Sequence, residues 1–129
     1  MNRPREGPNR PQLGPADVTE IEGLLLSAAI EAPVTWLVAW RLRLGGRGPG
    51  HVALASAVAT AVTHPQFWAA ALLAYPRFGY WPSVAALEAL VVLVEAVLIA
   101  WMAELPVPAA LAVSLIANAA SCAVGLALR

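Results

Sequence analysis

Four apolar runs of about twenty residues each fill the chain after its first twenty positions: about 21–40, 52–74, 83–103 and 107–128. A helix rises 1.5 Å per residue, so roughly twenty residues cross the ~30 Å hydrocarbon core of a bilayer. The segments between the runs, "RLRLGGRGPG", "YPRFGYWP" and "ELPVP", carry prolines and glycines that stop one helix and open the next. Connections this short make consecutive helices antiparallel neighbours. The expected fold is therefore all-α: an integral membrane protein with four transmembrane helices in an up-down antiparallel bundle spanning residues 21–128.

Composition and aromatic placement agree with that reading. Charged residues make up 12% of the chain against about 25% in soluble domains, and mean hydropathy is +0.68. A soluble bundle would need a polar face on each helix, which these runs lack. Trp40 and Trp101 fall at the ends of the first and third runs, on one face of an up-down bundle. Tyr75, Tyr80 and Trp81 fall on the other, as an interfacial belt requires. The expected partner is the lipid bilayer. Net charge is zero and all eight basic residues are arginine, so no surface suited to nucleic acid is expected.

Residues 1–20, rich in proline, arginine and glycine, are expected to form a disordered tail rather than a cleavable signal peptide. The single cysteine, Cys122, can form no internal disulfide and is expected to be an inert small residue. A lysine-free, alanine- and arginine-rich composition points to a bacterial cytoplasmic membrane with several passes. Arginines near the helix ends tie: Arg10, Arg77 and Arg129 on one side, Arg41, Arg43 and Arg47 on the other. The acidic Asp17, Glu20 and Glu22 before the first run favour placing the "RLRLGGR" loop inside.

Polar residues inside the runs carry the chemistry. Glu31, His64, Glu95 and Asn118 each lie within about one helical turn of a run's midpoint, so every helix brings one polar group to the same layer. An ionisable side chain at helix centre costs about 2.5–3.5 kcal/mol on insertion scales, so these groups should face one another rather than lipid. Ser27, Glu31 and Thr35 recur at four-residue spacing. Ser114, Asn118, Ser121 and Gly125 follow a 4-3-4 pattern, and Ser56 and Thr60 share a side with Thr63 or His64. Pro65 leaves the Ala61 carbonyl without its amide partner, so a kink is expected beside His64. The expected contact is Glu95 with His64, completed by Glu31 or Asn118.

Glu88 and Glu95 stand seven residues apart, on one helix face but about 10.5 Å apart along the axis. They cannot share a proton or a metal ion. Glu88 lies near the interface, where its simplest partner is a snorkelling Arg77.

At mid-depth, two carboxyls face a single candidate cation, His64. The cluster must therefore hold protons, a cation or a metal, or serve as hydrogen-bonded glue between helices. The glue reading leads. Its alternatives are a proton or cation pathway, an accessory subunit of a larger membrane complex, a homo-oligomer, and a metal site of Glu31, His64 and Glu95. No cofactor is expected beyond that metal. The Glu-x-x-His motif of di-metal bundles and the G-x-S-x-G and H-E-x-x-H motifs of hydrolases are absent, which argues against an enzyme.

The combination of Glu-Ala-Pro, "THPQFW", "EALVVLVEA" and "NAASCAVGL" over residues 21–128 resembles a set of small four-helix bacterial membrane proteins with no established activity. The resemblance implies the four-helix architecture and directs attention to Glu31, His64, Glu95, Asn118 and Ser121, with Thr63, Pro65, Glu88 and Arg77 in support.

Overall fold

A computed structural model describes residues 19–45 and 47–128. The tail read from residues 1–20 falls outside them except for its last two positions. The structure is all-helical: α1 Glu20–Leu42, α2 Pro49–Phe78, α3 Tyr80–Ala103 and α4 Val107–Ala127. Each helix packs against its neighbours in the chain, and α1 packs against α4, which closes a ring of four.

Local chemistry sets the boundaries. Thr19 caps α1: its hydroxyl accepts from the Glu22 amide at 3.3 Å, and the Glu22 carboxylate accepts from the Thr19 amide at 2.8 Å. This reciprocal box satisfies two donors that an open helix end would leave bare. Arg43 turns into the left-handed region, and the Leu44 amide reaches back to the Ala39 carbonyl at 2.9 Å, ending α1. Pro49 then opens α2, where its missing N–H costs nothing.

The second connection is far shorter than its proline content implies. Only Gly79, at φ +82°, separates α2 from α3. Pro82 sits in the first turn of α3, where amides lack helical partners anyway, so "YPRFGYWP" is helical except at that glycine. Pro33 and Pro65 lie inside α1 and α2, and α2 is a single helix through Pro65.

The packing is inverted relative to a water-soluble bundle. The residues sealed between helices are small or polar, among them Ala39, Ala59, Ala110, Thr35, Ser56, Ser114, Glu31 and Glu95. Large apolar side chains cover the outside, including Leu54, Leu72, Leu90, Val97, Leu115 and Trp101, the last 77% exposed. Small residues let helix backbones approach closely, while an apolar exterior this continuous is foreign to a soluble monomer. By length and composition, α1, α3 and α4 are long and apolar enough to cross a membrane. The polar "THPQ" sequence at the middle of α2 lowers its hydropathy, and α2 is not among the three.

The bundle also differs between its two halves. An apolar cluster of Ala39, Val52, Ala55, Ala59, Ile99, Ala103, Leu105, Ala110 and Val113 fills the half that adjoins the first and third connections. There Arg47 pairs with Glu104 at 2.7 Å across the two connections. His51 Nε2 lies 2.9 Å from the Met102 carbonyl, so that ring nitrogen carries the hydrogen and donates it. The buried polar side chains gather further along, toward the α2–α3 break.

Candidate functional site

Two carboxyl groups anchor the polar centre. Glu31 of α1 is 2% exposed and Glu95 of α3 is 1% exposed. Each is clamped by one donor from α2 and one from α4. Glu31 accepts from Thr60 Oγ1 at 2.5 Å and from Ser121 Oγ at 2.8 Å. Glu95 accepts from Thr63 Oγ1 at 2.7 Å and from Asn118 Nδ2 at 2.7 Å. All four carboxyl oxygens are thus occupied, and all four helices contribute. The spacing explains how: Thr60 and Thr63 stand three apart on α2, as do Asn118 and Ser121 on α4. Each pair therefore presents two donors on one helix face, one for each carboxyl.

Every donor has a second acceptor on its own helix. Thr60 Oγ1 lies 3.0 Å from the Ser56 carbonyl, Thr63 Oγ1 3.1 Å from the Ala59 carbonyl and Ser121 Oγ 3.1 Å from the Asn118 carbonyl. Asn118 Nδ2 also reaches the Ser114 carbonyl at 3.0 Å, a bond its second hydrogen can fill. A hydroxyl has only one hydrogen, so Thr60, Thr63 and Ser121 cannot satisfy both acceptors at once. If a carboxyl takes up a proton, it can donate to the adjacent hydroxyl, which then turns its own hydrogen to the backbone carbonyl. Proton uptake at Glu31 or Glu95 therefore loses no hydrogen bond and fills one that was shared.

A cavity adjoins the two carboxyls, with about 60 Å³ open to the centre of a water molecule. A water needs roughly 10–15 Å³ measured this way, so the cavity can take a few. Thr60, Thr63, Asn118 and Ser121 line it with Glu31 and Glu95, and half-buried Ser27, His64, Phe67, Glu88 and Val91 complete the wall.

His64 is placed differently from the expectation. It lines the cavity but does not bond to Glu95. Its Nε2 is buried without a hydrogen-bond partner, and a Cβ built on Gly23 of α1 would stand 3.3 Å from it. The ring lies against Phe67 and Trp68, with centroids 6.4 and 6.2 Å away. Adjacent residues of a helix point about 100° apart, so when Thr63 faces Glu95, His64 is turned toward α1. The α2 partners of the carboxyls are threonines instead.

Glu88 also departs from expectation. Among the described residues it forms no ion pair with Arg77, which is exposed at the end of α2. Two helical turns separate Glu88 from Glu95, so it shares the inward face and lines the same cavity. Pro65 is exposed and makes no part of the cavity wall. Thr35 spends its hydroxyl on the Glu31 backbone carbonyl at 2.9 Å, and Ser114 donates to the Val92 carbonyl of α3 at 3.0 Å.

Thr60 is the residue of the polar centre that sequence reasoning placed only in a stripe. Its signal is the three-residue spacing to Thr63 on the helix that must face both glutamates. As to a metal, no group of three His, Cys, Asp or Glu side chains converges among the described residues in a way that could hold an ion. No family model, curated protein or solved structure matches the chain.

Proposed function

We propose that this chain is an integral membrane protein, its four helices running up and down across a bacterial cytoplasmic membrane, whose polar centre takes up and releases protons. The membrane reading is supported by the inverted packing, with large apolar side chains outside and carboxyls and hydroxyls within. The Arg47–Glu104 and His51–Met102 contacts support the up-down course, because they tie the end of α1 and start of α2 to the end of α3 and start of α4. Trp36 and Trp40, stacked at 6.0 Å and exposed, suit an interfacial belt at that end. Recovery of the chain only in detergent-extracted membranes, resisting salt and alkaline washes, is the expected fractionation.

The observation that carries the proton reading is the set of alternative acceptors behind each hydroxyl, beside a cavity with room for water. It lets the buried carboxyls change protonation state without breaking the bundle. Infrared difference spectra of the purified protein across a pH step test it. A carboxyl C=O band should be lost as pH rises, reduced in Glu31→Gln and in Glu95→Gln and nearly absent in the double variant. Absence of any such change while the protein stays folded would overturn the reading. A band that responds to sodium or potassium at fixed pH would reassign the centre to a cation.

The same contacts favour a second reading, in which the clamps simply fix the helix arrangement. Interhelical polar bonds contribute about 0.6–1.7 kcal/mol each, enough to specify one packing among several. The two readings separate on what happens when a carboxyl is removed, as developed in the Discussion.

A further inference from the structure

We infer that the polar centre is reached from one end of the bundle only, the end that carries the α2–α3 break, and is sealed from the other. The inference rests on the proton reading for what passes through the opening, but its geometry stands separately. Starting at the two clamped carboxyls and moving toward Gly79, the cavity wall continues through Ser27, His64, Glu88 and Val91, each only half-buried, while Ala71 and Ser83 nearer Gly79 are buried. Hydratable groups continue along that path: the unpartnered His64 Nε2 and then the Glu88 carboxyl, about 10.5 Å from Glu95 along α3.

The opposite direction offers water one unpartnered group, the buried Ser56 Oγ one turn from Thr60, and only apolar side chains further on. Below Glu31 and Glu95 the inward side chains are Ala39, Val52, Ala55, Ile99, Ala103 and Val113, none more than 4% exposed. The Thr35 and Ser114 hydroxyls, which lie between, are turned onto backbone carbonyls and offer no free hydrogen. A dry apolar plug several turns long excludes a chain of waters, because water in an apolar site lacks the polar partners it needs. The Arg47–Glu104 pair then ties the two connections together over the plugged end.

In this conformation the centre exchanges protons with one compartment and is not a through-conduit. Glu88 and His64 are the charged and titratable groups facing the path from α3 and α2; Glu31 faces it from α1, where Glu20 also lies within electrostatic reach of His64, and α4 contributes the neutral Asn118 and Ser121.

Single cysteines introduced in a Cys122→Ala background test this with a membrane-impermeant maleimide, in right-side-out and inside-out vesicles. Arg77→Cys and Arg41→Cys report the two ends. Ser27→Cys and Val91→Cys should label only from the side that labels Arg77→Cys. Ala55→Cys and Ala110→Cys should resist from both sides until the protein is denatured. Two cavity positions and two plug positions are used so that one misfolded variant does not decide the result. Labelling of Ser27→Cys or Val91→Cys from the Arg41 side, or of neither from any side, would overturn one-sided access, as would labelling of a plug position in the folded protein. The pattern does not depend on carboxyl titration, so it can fail while the infrared result stands, and the reverse.

Discussion

Removing a carboxyl from this centre should be milder than removing one of its donors. Glu95 is 1% exposed and holds two bonds of 2.7 Å, to Thr63 and Asn118. In Glu95→Leu the Thr63 hydroxyl falls back on the Ala59 carbonyl at 3.1 Å, and Asn118 keeps the Ser114 carbonyl at 3.0 Å. Nothing polar is stranded, and a side chain that costs about 2.5–3.5 kcal/mol at a helix centre is gone. The expected stability is unchanged, or higher by up to about 3 kcal/mol. Asn118→Leu acts in the opposite direction. It leaves Glu95 Oε2 buried with no partner, which costs about 1–3 kcal/mol. The double variant should recover most of that loss, because the stranded oxygen is no longer there. Unfolding in detergent micelles by titrated denaturing surfactant, followed by tryptophan fluorescence, measures all three. A Glu95→Leu variant that loses more stability than Asn118→Leu would refute the reasoning and hand the centre to the glue reading. If the prediction holds, the fold does not need this carboxyl, and its presence must be explained by its chemistry.

Thr63→Val should cost about 1–3 kcal/mol by stranding Glu95 Oε1, while Thr63→Ser, which keeps the hydroxyl, should cost less in the same surfactant titration. Gly23→Ala should be worse tolerated with His64 present than in a His64→Ala background, with a coupling of about 0.5–3 kcal/mol, because the new Cβ stands 3.3 Å from the buried Nε2. A double-mutant cycle on melting temperature checks that sign. Glu104→Gln should change stability by no more than about 1 kcal/mol, since both partners of the Arg47 pair are largely exposed, and the difference should shrink in high salt.

Depth along a helix axis was readable from the sequence, and direction around the axis was less so. Glu31, His64, Glu95 and Asn118 could be brought to one layer by counting residues from the ends of their runs; the structure sets Glu31, Glu95 and Asn118 in the clamps and leaves His64 on the cavity wall without a bond to Glu95. Choosing between Thr63 and His64 needed the rotation of α2, which a stripe of small residues does not fix within one position. Histidine drew the assignment because it titrates, yet the threonines carry the bonds. The same blindness led to Arg77 for Glu88: both sit near one end, but Glu88 points inward with Glu95 and Arg77 does not. The α2–α3 break was hidden for another reason. Two prolines flank Gly79, and only backbone geometry reveals that both are accommodated inside helices.

That one-residue break bears on how the protein is made. On the membrane reading proposed above, α2 and α3 cannot enter the bilayer as independent segments, because only Gly79 separates the end of one from the start of the next. The pair must cross as a hairpin. Its second limb, α3, has the highest mean hydropathy of the three apolar helices, 2.3, while its first limb is burdened by "THPQ". On that reading the apolar limb carries the polar one into the lipid, and a polar substitution on the outer face of α3 should impair insertion of α2 as well as its own.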